Sequence, residues 1–145
     1  MKNLEKQAAD HNAEEQIIFQ RFIDHLINGI MPLAFTRKNS IINEVEPESF
    51  IKADQDKLAF IISNLLNEAV SSTSNSFIHI SAFTGERIAL LQIKTDHTDI
   101  EHSFSQLIGK IQNSAKKMGG NISIESTISE GTLITFTFHN MKTAA

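Results

Sequence analysis

Residues 56–73 read DKLAFIISNLLNEAVSST, and this stretch decides how the rest of the chain is organised. Leu58, Ile61, Ile62, Leu65 and Ala69 recur at steps of three and four, the spacing of one buried helical face. Asp54 lies just upstream and is an N-cap residue type. Near its end the helix carries two amides, Asn64 and Asn67, and one acid, Glu68. Asn64 and Glu68 are four residues apart, so they share a helical face. Such a polar group on an apolar helix is either a solvated edge or a ligand site.

Upstream, EEQIIFQRFIDHLINGIMPLAF (14–35) places Ile18, Phe22, Leu26, Ile30 and Leu33 at helical spacing, with Phe19, Ile23 and Ile27 beside them. Pro32 is expected to kink that helix or to start its last turn. SIINEVE (40–46) is a short strand closed by Pro47. Downstream, SFIHISAF (76–83) and RIALLQIKT (87–95) flank Gly85 as a hairpin, with Ile78, Ile80 and Ala82 facing the core. A third helix runs from about Ser103 to Met118. NISIES (121–126) and TLITFTF (132–138) form a second hairpin around TISEG. Strands and helices in this order predict an α+β two-layer sandwich: an about five-stranded mixed sheet with three helices on one face. A polar segment, 1–14, precedes one domain, 15–140.

The 145 residues carry 41% hydrophobic and 21% charged side chains, ordinary values for a chain with a core. No apolar run approaches the ~18 residues of a membrane helix, and the polar start has no secretion-signal pattern. A cytoplasmic location is the simplest reading. Zero Cys excludes disulfides and thiolate zinc sites. A net charge of −4 gives no basic footprint for nucleic acid. His11, His25, His79, His102 and His139 show no metal-ligand spacing.

Three stretches in this order are similar to the catalytic, ATP-binding domain of sensor histidine kinases, a member of the gyrase, chaperone, kinase and MutL superfamily with the Bergerat fold. ADQDKLAFIISNLLNEAVSST (53–73) resembles the helix bearing that family's asparagine box. AKKMGGNISIES (115–126) resembles the segment where the third helix meets its Gly-Gly turn. SEGTLITFTF (129–138) resembles the last glycine box, with Gly131 and Thr132 as its Gly-Thr. The likeness covers about Ile17 to Phe138. It implies a Mg-ATP site formed by Asn64, Glu68, Asp96, His97, Gly131 and Thr132, with Glu68 at the place of the Mg-holding Asn.

The chain departs from that family at each chemical position. The pattern Asn-Leu-x-x-Asn-Ala becomes Asn64, Leu65, Leu66, Asn67, Glu68, Ala69. A carboxylate can bind Mg²⁺, but it also adds negative charge where a triphosphate would sit. QIKTDHTDI (92–100) stands in place of the adenine-reading Asp-x-Gly-x-Gly and has no glycine. Residue type puts Asp96 at the adenine position, whereas strand alternation puts His97 there and turns Asp96 away. Only about ten residues, HTDIEHSFSQ, replace the long phosphate lid. The third helix starts as EHSFSQLIGKI, without a Gly-rich turn whose N–H groups could meet phosphate. The residues before Ile17 are too few for the family's phosphoacceptor hairpin, and His11 has no hairpin context.

The sequence therefore points to a degenerate member of that fold without kinase activity and with no bound cofactor. It would act as a regulatory or binding module in two-component signalling, with a response regulator or a histidine kinase as partner. The alternative is a reduced but competent Mg-ATP-binding domain acting in trans. The wide apolar stripe of the first helix is a candidate homodimer surface.

Overall fold

The computed structural model describes residues 15–98 and 100–141. The polar segment 1–14, and His11 within it, lie outside the described residues. Seven strands and three helices follow in the order β1 (Glu15–Ile18), α1 (Phe19–Thr36), β2 (Ser40–Asn43), β3 (Phe50–Ala53), α2 (Gln55–Ser71), β4 (Phe77–Thr84), β5 (Ile88–Thr95), α3 (Glu101–Lys117), β6 (Asn121–Thr127) and β7 (Gly131–His139). Five strands form the main sheet, ordered β2-β4-β5-β7-β6. β2 runs parallel to β4, and the remaining pairs are antiparallel, so the sheet is mixed. Its inner face presents Ile78 and Ile80, Ala89, Leu91 and Ile93, then Ile134, Phe136 and Phe138 to the helices. The expected α+β sandwich is what forms.

α2 is the central helix. Asp54 caps it, its Oδ1 accepting the Lys57 backbone N–H at 3.2 Å. Leu58, Ile61, Ile62, Leu65 and Ala69 are buried as their spacing predicts, together with Leu66 and Val70. α1 buries Phe19, Phe22, Ile23, Ile27 and Ala34. Pro32 lies inside the helix at the start of its last turn, where its missing N–H removes one i→i−4 helix bond.

One expectation is corrected at the start of α1. Glu15–Ile18 is not the first turn of the helix but a strand, paired antiparallel with β3 so that Ile17 meets Ile51. Ile17 and Ile51 are buried, while Ile18, expected on the helical stripe, turns outward. A two-residue apolar run carries no period, and here the distant partner strand decides. The Phe19 N–H, which begins α1, bonds to Ser49 O.

At the free edge of the sheet, β6 is closed by a side chain. Gln112 of α3 donates to Ile122 O at 3.0 Å and accepts from Ile122 N at 2.9 Å. An exposed ladder position is thereby satisfied, which blunts an edge open to strand addition. Among the described residues no helix is long and apolar enough to cross a membrane.

Candidate functional site

The polar cluster on α2 is engaged within the fold. The Asn64 amide donates back to Phe60 O of its own helix at 2.8 Å. Glu68 Oε2 accepts the Ser72 hydroxyl at 2.7 Å and also the Ser103 hydroxyl. The two serine oxygens lie 3.2 Å apart. Ser72 is the residue that caps the end of α2, and Ser103 lies in the first turn of α3. One carboxylate thus ties the end of one helix to the start of the next. Beside that tie, Phe104 is completely buried. The connection from β5 to α3 spans only residues 96–100, so α3 starts directly against α2.

The end of β5 organises the other positions. Thr95 is buried, and the pleat then sends Asp96 outward. Asp96 lines a concavity of about 460 Å³ on the sheet face away from the helices, with Phe77, His79, Ser81, Gln92 and Lys94. Its Oδ1 accepts the Ser76 hydroxyl at 2.6 Å and faces His97 Nδ1 at 3.0 Å. The Ser76 bond holds the carboxyl below its ordinary value against the opposing effect of burial, with a lesser contribution from His97.

Gly131 and Thr132 meet this segment through backbone atoms. The fully buried Thr132 donates its hydroxyl to His97 O at 2.7 Å and lies 2.8 Å from Ser126 Oγ. Gly131 has φ +86°, and a Cβ there would stand 2.0 Å from Thr95 O. A side chain is excluded by both the backbone conformation and the close approach.

The six positions expected around a nucleotide therefore separate into two sites and the strand end that joins them. Asn64 and Glu68 belong to the helix layer, and Asp96 opens on the far side of the sheet. His97, Gly131 and Thr132 join β5 to β7 at the end between them. Ser72, Ser76 and Ser103 complete both sites and were not singled out as site residues. Ser72 follows Glu68 by four residues, a spacing that marks it as a neighbour. Ser76 and Ser103 are brought in by tertiary structure alone.

No protein-family model matches the chain, and a search of curated proteins found no match. Solved structures do match. The histidine kinase AdeS of Acinetobacter baumannii aligns with TM-score 0.77 and 11% identity, over 88% of this chain and 67% of the other. The nucleotide-free catalytic domain of histidine kinase ThkA aligns with TM-score 0.71 and 14% identity, over 88% of this chain and 97% of that domain. ThkA in complex with the response regulator TrrA aligns with TM-score 0.73 and 14% identity, over 91% of this chain but 43% of the kinase. Likeness at such identities is likeness of backbone architecture, and it joins the order of elements and the sheet topology in one conclusion: this chain has the fold of the histidine-kinase catalytic, ATPase-type domain.

Proposed function

We propose that the chain is a degenerate histidine-kinase ATPase-type domain that works as a regulatory or binding module in two-component signalling, without kinase chemistry of its own. The observation that carries this reading is the carboxylate of Glu68. At the position matching the family's metal-holding Asn, its Oε2 is engaged by the hydroxyls of Ser72 and Ser103. Holding Mg²⁺ through that oxygen would mean giving up both hydroxyls, which tie α2 to the first turn of α3. The donor set suits Mg-ATP poorly in a second respect. Asp96, the adenine reader by residue type, opens onto the outer sheet face and is held by Ser76. Adenine and metal contacts would thus have to be made from opposite sides of one sheet.

A response regulator or a histidine kinase is the partner this reading implies, and the ThkA–TrrA complex is an example of that kind of pairing in the same fold. Titration calorimetry of the chain with Mg-ATP tests the proposal. The expected result is no binding tighter than about 1 mM, a free energy weaker than about −4.1 kcal/mol. Micromolar binding that weakens in Glu68→Ala would establish the competing reading, a reduced but competent Mg-ATP domain acting in trans.

A further inference from the structure

Among the described residues, the helices cover one face of the sheet and leave the other open. Strand alternation sends Phe77, His79, Ser81 and Phe83 of β4 to that open face, with Ile88, Leu90, Gln92 and Lys94 of β5 beside them. Phe77 is 57% exposed, Phe83 61% and Ile88 51%. Large apolar side chains grouped on neighbouring strands of one face mark an interaction surface, unlike the same residues scattered singly. Phe83 pairs across the ladder with Leu90, two residues from Ile88, so one end of the face is apolar.

The opposite end is the concavity of about 460 Å³. Phe77 and Leu133 give it apolar wall, and Glu44, Asp96 and Glu130 stand around them. Lys94 is the one lysine in its lining, and His79 Nδ1 is already drawn to Glu44 at 3.1 Å. Carboxylates therefore outnumber permanent cations three to one. The Ser76 hydroxyl fixes Asp96 before any ligand arrives, which lowers the entropic cost of using it.

We propose that this open face of β4 and β5 docks a segment of a partner protein that carries a basic side chain, arginine above all, next to apolar ones. Charge complementarity selects that occupant. A guanidinium seated on Phe77 and reaching Asp96 and Glu130 gains charge-assisted hydrogen bonds and a cation–π contact together. The segment's apolar side chains cover Phe83, Leu90 and Ile88. From Phe77 to Phe83 the strand advances roughly 20 Å, the span of about thirteen residues of helix. A second copy of this chain is a poorer occupant, because face-to-face pairing opposes the same three carboxylates. The protein nature of the partner rests on the binding-module reading, whereas the location of the surface does not depend on it.

The test uses the ¹⁵N-labelled chain and a synthetic amphipathic helical peptide with Arg on one face and Leu on the other. A twin peptide has Glu in place of every Arg. The Arg peptide is expected to shift amide resonances of β4 and β5, and the Glu twin to leave them unmoved. Asp96→Asn combined with Glu130→Gln should weaken binding about tenfold, and Phe83→Ser should weaken it comparably. Glu46→Gln with Glu48→Gln removes the same charge at exposed positions elsewhere and should change affinity less than about twofold. Shifts confined to other surfaces, equal loss in both double variants, equal binding of the Glu twin, or no shift at millimolar peptide would each overturn the proposal. Mg-ATP added to the same sample separates the two readings. Shifts in α2 and α3 on its addition end the nucleotide-free reading and leave the peptide result standing.

Discussion

Placing Asn, the family's residue type, at position 68 separates two causes that the proposed lack of a nucleotide site could have. If charge alone were the obstacle, Glu68→Asn would remove it. Like charges about 4 Å apart at an effective dielectric of 20 repel by roughly 4 kcal/mol. Relief of that repulsion corresponds to a gain of about a thousandfold in affinity, easily read by calorimetry. The tie between Ser72, Glu68 and Ser103 predicts otherwise. Asn is one methylene shorter and loosens the tie, but Phe104 stays buried and α3 keeps its place against α2. Glu68→Asn should therefore bind Mg-ATP no better than the parent. Its stability should fall by about 1 kcal/mol as a shorter, neutral amide replaces two charge-assisted bonds with weaker contact. Glu68→Ala, which loses both, should fall by about 2 kcal/mol, or about 6 °C in Tm for a domain of this size. Urea titration and calorimetry on the same preparations supply both numbers. Micromolar Mg-ATP affinity in Glu68→Asn would refute the idea that the helix contact, and not the charge, closes the site.

Other expectations follow from single side chains. Asn39 is buried and bonds to Val70 O, Thr73 O and Thr73 Oγ1 while accepting Ser76 N–H. Asn39→Ala should cost about 3 kcal/mol by urea denaturation, because buried polar groups lose their partner; a cost under about 1 kcal/mol would contradict it. Gly131→Ala meets Thr95 O in a left-handed conformation and should destabilise by roughly 3 kcal/mol or more. Gly109→Ala, inside α3 with open space around it, should instead stabilise by about 1 kcal/mol; both are read from thermal melts. Asp96 should titrate below its ordinary value of 3.8 in a carboxyl NMR titration, and Ser76→Ala should move it back towards that value. Since the folded value is the lower one, its stabilising contribution is complete above 3.8 and fades as pH falls below it through the folded value. An unchanged titration in Ser76→Ala would remove Ser76 as the cause.

The parts of the fold that were legible in the sequence are those with a long period. Seventeen residues of α2 repeat one apolar face, and β7 alternates Ile134, Phe136 and Phe138 into the core. Each signal survives any single exception. β1 and β3 did not announce themselves, since four-residue strands stabilise each other only once Ile17 lies beside Ile51, far along the chain. The site follows the same division. Glu68 in place of Asn and the absence of glycine after Asp96 were visible as residue types. The hydroxyl of Ser103 against Glu68 was not, because it depends on where a short connection sets down α3.

The exposed aromatics of β4 show how a correct pattern can hide its own consequence. Placing Ile78, Ile80 and Ala82 inward obliges Phe77 and Phe83 to point outward, where alternation leads one to expect polar groups. Asp96 joins them by the same parity through β5. The residue that matches the family's adenine reader by type thus belongs to the open face, while the helix layer is tied shut at Glu68. The open face carries apolar contact area together with fixed charge, while Glu68 is bonded between α2 and α3. On that face the Ser76 hydroxyl holds Asp96 at 2.6 Å, and Phe77 is exposed beside it. Neutralising Asp96 therefore has two expected effects: it should cost the stability that the charged bond from Ser76 supplies, and it should weaken binding at the open face.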